Sequence, residues 1–167
     1  NDAPVITVGA AETVSTTIGG YVGETVVTRS LTETDANLTT SGELTVSDVD
    51  VTDIVNVSVA VSGGGAGNIL PNNPVLDGTQ TTGTLNWSFD TGAETFDFLP
   101  QGWQTRLNYT ITVTDSQGAT AEQVVSVLIT GTNDVAVIGG VSTGTVTEDA
   151  DPTTLMVSDT LTVVDPD

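Results

Sequence analysis

The residues whose types and spacing could do chemistry are carboxylates at the ends of apolar runs. Asp48, Asp50 and Asp53 follow one run, and Asp115 lies between two others. Asn133-Asp134 ends a Val-rich stretch over residues 124 to 130. In an extended chain, Asp-x-Asp places two carboxylates on one side, about 6–7 Å apart by strand rise. They can share one ion or straddle two. Hard cations such as Ca²⁺ take six to eight oxygens from carboxylates, carbonyls and water, and this is the donor set on offer. It is not an EF-hand: no Asp-x-Asp-x-Asp-Gly run and no Glu at the twelfth position accompany these acids.

Acidic turns are common, so a single Asp-x-Asp says little. Here the pattern recurs. Leu44-Thr45-Val46-Ser47-Asp48-Val49-Asp50 is matched by Leu161-Thr162-Val163-Val164-Asp165-Pro166-Asp167, and Leu31-Thr32-Glu33 by Val146-Thr147-Glu148. Asn1-Asp2 and Asn133-Asp134 each precede an apolar strand. Two copies of one unit therefore meet at residues 133–134. The stretch from Asn-Asp to Glu is longer in the first copy, which places an insertion near residues 9–30. The expected organisation is a complete domain over 1–132, then a linker and the first strands of an incomplete second repeat over 133–167. The chain reads as an internal piece of something longer.

Charge narrows the function classes. Asp+Glu number 22 against Lys+Arg 2, for a net charge of -20, and the two cations are Arg29 and Arg106. Without a basic surface to neutralise phosphates, a nucleic-acid partner is excluded, and an anionic membrane surface is disfavoured. No run approaches 18 apolar residues, so membrane insertion is not expected. With 22 acids, a compact domain must spread them over solvent or gather them around cations. There is no Cys for disulfides and no Lys for a Lys–Asn cross-link, which leaves metal ions as the available staple. The absence of His, Cys and Lys removes the common nucleophile–base pairs. A carboxylate-pair glycosidase would need a large cleft that this length does not supply, so an enzyme is not expected.

The elements that must position these acids are strands. Apolar residues alternate with polar ones at Leu85-Trp87-Phe89, Tyr109-Ile111-Val113 and Val55-Val57-Val59-Val61, and helix-period stripes are absent. Many short strands punctuated by turns predict an all-β antiparallel sandwich. Asp115-Ser116-Gln117-Gly118 reads as a tight turn. Residues 9–23, 36–42 and 68–83 read as loop or turn, with at most a short strand in the last. Trp and Tyr read as core or core-edge residues, and Glu12 as an acid outside the ligand pattern.

Thr130-Gly131-Thr132-Asn133-Asp134, Val-Thr-Glu, Leu-Thr-Val-x-Asp-x-Asp, Trp87, Asp97-Phe98-Leu99-x-x-Gly102 and Tyr109-Thr110-Ile111-Thr112-Val113-Thr114-Asp115-x-x-Gly118 together resemble the VCBS repeats of large bacterial RTX-type surface adhesins. These repeats are similar to cadherin domains, so the resemblance implies an Ig/cadherin-like sandwich. It also implies ligand roles. Asn133 and Asp134 would be linker ligands, met from the first unit by Glu33 and Asp97 and from the second by Asp165 and Asp167. Asn1 and Asp2 would meet Asp48, Asp50 and Asp115 at the other end. The function implied is a calcium-binding extender at the bacterial cell surface or outside the cell, serving adhesion and biofilm formation. Its partners would be adjacent repeats of the same polypeptide. The alternative is a module recognising a surface glycan or protein, prompted by the 9–30 insertion and the loops at 63–67 and 71–74.

Overall fold

Leu85, Trp87 and Phe89 are buried while Asn86, Ser88 and Asp90 are exposed. Period-two alternation of this kind turns a strand into one wall of a core. The computed structural model describes residues 1–10, 12–18, 21–62, 66–147 and 157–167, with backbone alone for 16–18 and 21–24. Glu148 and residues 63–65 lie outside the described residues. No described helix is long and apolar enough to cross a membrane.

The fold is an all-β sandwich. One sheet has the order β1 (Val5–Val8), β4 (Thr39–Ser47), β8 (Thr82–Asp90), β6 (Asn68–Pro71). The other has the order β2 (Val14–Ile18), β3 (Tyr21–Thr32), β10 (Thr120–Thr130), β9 (Gln104–Thr114), β5 (Ile54–Ser62), β7 (Leu76–Asp77). Leu44, Val46, Leu85, Trp87 and Phe89 of the first sheet pack in one core with Val55, Leu107, Tyr109, Ile111, Val125 and Val127 of the second. Phe89 and Tyr109 meet edge to face at 5.8 Å, and the Tyr109 hydroxyl donates to the Ala66 carbonyl at 2.8 Å. A buried phenol thus keeps a partner.

Among the described residues the pairing is antiparallel apart from one ladder: β3 runs parallel to β10, from Val26↔Val124 to Thr32↔Thr130. Glu33 and Gly131 follow directly on the last pair of that ladder, which brings the Glu33 region beside the linker.

The structure corrects several loop readings. Residues 14–18 and 21–23 are strand, so the insertion extends the second sheet through the β2–β3 pair. Their Thr and Gly residues lack an apolar alternation, because a sheet edge has less core to face. β4 begins at Thr39, inside the predicted turn, and residues 68–83 hold β6 and β7. Trp103 is 68% exposed, so it is not a core residue.

Glu12 is not a bystander. It pairs with Arg29 and accepts from the Glu43 amide at 3.0 Å. The Arg29 guanidinium lies 5.2 Å from the centre of the Trp87 ring and donates to the Ser41 carbonyl at 3.1 Å. The ion pair lies within the inserted segment, and its two side chains tie that segment to the first sheet through Ser41, Glu43 and Trp87. Breaking such a pair strands a charge. Glu12→Ala is expected to cost about 2 kcal/mol in urea unfolding; an unchanged midpoint would show the pair to be idle.

Beyond residue 134 the chain repeats itself. β11 (Val137–Gly140) pairs with β12 (Leu161–Val164), from Val137↔Val164 to Gly140↔Leu161. In the first unit β1 and β4 pair from Val5↔Ser47 to Val8↔Leu44. The two ladders share their register under the alignment the sequence repeat implies.

Candidate metal centres

Each end of β4 opens into an acidic loop, so the two groups of carboxylates sit at opposite ends of that strand. At its C-terminal end the Asp48 amide donates to Thr81 at 2.9 Å, and the Asp53 amide donates to the Asp50 carbonyl at 2.9 Å. The Asp50 amide donates to Asp48 Oδ1 at 3.0 Å. These bonds coil residues 48–53 so that Asp48 and Asp53 face Asp115, which follows β9. Asp115 Oδ1 accepts the Gln117 and Ala119 amides, each at 2.8 Å, in the predicted tight turn, where Gly118 has φ 93°.

Carboxylate oxygens of Asp48, Asp53 and Asp115 all lie within 4.8 Å of one another, and all three residues are buried. Oxygens sharing one calcium ion stand no further apart than twice the metal–oxygen distance, about 4.6–5.2 Å, so the spacing fits. Asp53 Oδ1 accepts from the Ser116 hydroxyl at 2.6 Å. Asp48 Oδ2 and Asp53 Oδ2 are shielded from solvent and have no hydrogen-bond partner. Neither arginine compensates them: Arg29 is held by Glu12, and Arg106 donates to Ser126. Buried carboxylates without a countercharge are costly, and a hard cation would supply that countercharge.

The chain start closes over this group. Asn1 Nδ2 donates to Asp115 Oδ2 at 3.0 Å, and the Asp2 amide donates to Asp50 Oδ2 at 2.8 Å. Burial pushes the Asp115 carboxyl up, but the hydrogen bonds from Asn1 and from the Ala119, Gln117 and Gly118 amides outweigh it and hold it below the ordinary carboxylate value. Its stabilising contribution is present above the unfolded value and is lost as pH falls through the folded one.

The second group lies where β3 and β10 end. The Glu33 amide donates to the Thr130 carbonyl at 2.8 Å, continuing the parallel ladder and carrying the side chain inside. Glu33 Oε2 accepts both the amide and the hydroxyl of Thr132, at 2.9 and 2.7 Å. Oε1 is shielded and unpartnered. Carboxylate oxygens of Glu33, Asp35 and Asp134 lie within 4.8 Å of one another. Asp97 Oδ1 and Asp134 Oδ2 are likewise shielded without a partner. Asp35, Asp97, Thr132, Asn133, Asp134 and Pro166 line a cleft of about 360 Å³.

Two backbone features build this cleft. Phe96 adopts φ 67°, rare for a bulky residue; its ring stays in the core while the next residue, Asp97, reaches the cleft. Gly131 donates to the Trp103 carbonyl at 2.8 Å and accepts from Gly102 at 3.0 Å. A Cβ there would collide with the Leu99 and Pro100 carbonyl oxygens. Gly131→Ala should therefore cost about 1–3 kcal/mol in urea unfolding; a neutral result would mean the 99–103 loop can move aside.

The seam is electrostatically frustrated. Burial raises the Asp134 carboxyl, and the charges of Glu33, Asp97, Asp35 and Asp167 raise it further. The stability linked to a raised carboxyl is fully present below the unfolded value and is lost as pH rises through the folded one. At neutral pH these acids repel one another. Asp165 is raised by the hydrogen bond with the Asp167 side chain, then by burial and by the Asp167 charge.

Of the residues singled out in the sequence, Asp48 and Asp115 fall in the first group, and Glu33 and Asp134 in the second. Asp2 and Asp50 are bonded to each other at the margin of the first group. Asp97 and Asn133 line the cleft, with Asn133 Nδ2 donating to the Asp134 carbonyl at 2.7 Å. Asp167 Oδ1 stands 3.4 Å from the Asp134 amide, with Asp165 alongside. Asp53, one of the three candidate acids after β4 in the sequence, joins the first group although the family resemblance gave it no ligand role, and Asp35 joins the second without having been singled out. For Asp35 the signal was there: Glu33-Thr34-Asp35 has the same i, i+2 spacing as Asp-x-Asp.

No family model matches the chain, and no curated protein matches it in sequence. Among solved structures it is similar to the CooA pilin subunit from enterotoxigenic Escherichia coli, with 16% identity and a TM-score of 0.41 over 62% of this chain and 89% of that one.

Proposed function

We propose that this chain is a calcium-binding structural extender repeat of a large secreted or cell-surface bacterial adhesin of the VCBS, RTX type. Calcium at the acidic groups stabilises the sandwich and stiffens the junction between successive units. The observation that carries this reading is the set of shielded carboxylate oxygens without partners in two groups at opposite ends of β4. The second group lies where one unit ends and the same ladder begins again. A spacer needs its sites there, because an ion shared across a junction converts a flexible linker into a fixed angle.

Calcium titration followed by small-angle scattering tests the junction. The radius of gyration and its spread should settle to one compact set of values as calcium rises, and relax again in EDTA. A scattering curve indifferent to calcium would remove the stiffening role.

A second reading, recognition of a glycan or protein, is favoured by one observation: Phe98 and Trp103 are exposed on the loop before β9, which is hydrogen-bonded to Gly131 beside the seam. Exposed aromatics of this kind serve as anchors. A glycan or protein array that gives hits lost in Trp103→Ala would select that reading over the spacer.

A further inference from the structure

We propose that the first unit carries tension along its length, with the parallel β3–β10 ladder as its clamp and the Glu12–Arg29 pair as a stop that shields β2 from being peeled away. This gives the 9–30 insertion a mechanical role. It rests on the extender reading only in that neighbouring units must pull on the chain, and it does not depend on calcium.

Strand directions place the two points of pull at opposite ends of the sandwich. β1 is antiparallel to β4, with Val5 opposite Ser47, so the chain enters beside the Asp48 group, where the Asn1 side chain is bonded to Asp115. β10 runs from Thr120, opposite Thr114, to Thr130, opposite Gln104, and leaves at the Glu33 end. A pull between Asn1 and Asn133 therefore acts along the strands. Ladder bonds lie across the strands. A strand dragged along its own axis loads all of its bonds together, whereas a strand lifted from one end loses them one at a time.

β3 and β10 are in the first geometry. They run in the same direction, so tension arriving at the start of β3 and leaving at the end of β10 drags the two strands in opposite directions along one shared ladder. Most of that ladder, from Val26↔Val124 to Ser30↔Leu128, is made by the insertion. Beyond its last pair, Glu33 accepts two bonds from Thr132 and prolongs the grip. β2 is in the second geometry. It is antiparallel to β3, from Val14↔Val27 to Ile18↔Tyr21, so a pull reaching Val14 from the Asn1 end would open the pair from Val14 onward. Glu12 stands in between. Its bonds to Arg29 on β3 and to the Glu43 amide on β4 pass the force straight into both sheets. β1 is only four residues long. It slides off first, and the release stops at Glu12.

Stretching single molecules of the full chain tests this, with one handle ahead of Asn1 and the other on Val135→Cys, an exposed position in a chain without Cys. In EDTA, an early step of about 20 Å should precede the main rupture. Residues 1–11, once freed, reach about 36–40 Å, and Glu12 starts roughly 13 Å inside the entry end, at the level of Glu43 on β4. In Glu12→Ala the early step should lengthen to about 60 Å, because release then runs through β2 to the start of β3. Moving the first handle to Gln101→Cys, exposed on the loop before β9, lifts β9 from β10 at their shared end and should lower the rupture force about threefold. An early step of unchanged length in Glu12→Ala, or a rupture force as high from Gln101 as from Asn1, would overturn the proposal. The second comparison leaves the Glu12–Arg29 pair intact, so it decides even if Glu12→Ala does not fold. Traces that ignore calcium yet keep the early step and the direction dependence would remove the calcium reading and leave the clamp standing; calcium-dependent traces that lack both would do the reverse.

Discussion

Chelating calcium with EDTA is expected to lower the melting temperature by on the order of 10–20 °C, and restoring calcium should reverse the change. A site that binds only the folded state adds about 2.7 kcal/mol at 100-fold excess over Kd. Extracellular modules of this ligand type bind with Kd of roughly 10⁻⁴–10⁻³ M, so the response should span millimolar calcium. Two occupied groups then supply a large part of a stability of roughly 5–15 kcal/mol. The apo state is disfavoured for a second reason. Asp48, Asp53 and Glu33 keep buried oxygens without any protein donor, and at the seam Asp134 feels four neighbouring acids.

The control is sodium chloride at matched ionic strength. Salt screens exposed charges and leaves buried ones largely unscreened. If sodium reproduces the calcium shift, the acids act as a diffuse surface charge; if EDTA and calcium give the same melting curve, no cation is bound at all.

The sandwich was legible in the sequence because its central strands face a core. In Leu85-Trp87-Phe89 and Tyr109-Ile111-Val113 every second residue must be apolar, and that constraint is visible without a structure. β2, the first residues of β3 and the first half of β4 were not legible, since their Thr, Ser and Gly residues pair through the backbone without an apolar alternation. Trp103 was misplaced because a Trp type alone does not say which way its loop turns; the Gly131–Trp103 backbone bond settles that. The acidic groups were half legible. Recurrence picked out Asp48, Glu33 and Asp134, and its place between two strands picked out Asp115. Which of three acids in one loop reaches Asp115 depends on the turn from Asp50 to Asp53, a tertiary fact. Asp35 is exposed, and only its i, i+2 spacing from Glu33 marked it in the sequence.

Replacing Asp48 and Asp53 together by Asn should change stability in opposite directions with and without calcium. In calcium, the variant loses one site and should melt lower than the native chain by on the order of 10 °C. In EDTA, it should melt higher by about 5 °C. There the native chain buries two carboxylates beside Asp115 with no countercharge; the neutral Asn side chains remove both charges, and their amides can donate to the remaining Asp115 carboxylate. A side chain that merely fills space would shift both curves the same way, so the crossing is the diagnostic feature. Glu43→Gln is the proper reference, because Glu43 is an exposed acid on β4 and its loss should stay within about 0.5 kcal/mol in either buffer. Glu12 cannot serve, tied as it is to Arg29. Should the double variant melt lower in both buffers, the Asp48–Asp53 pair would be holding the 48–53 loop by hydrogen bonds alone. Should it match Glu43→Gln in calcium, no ion sits at this end of β4, and the extender role would rest on the seam alone.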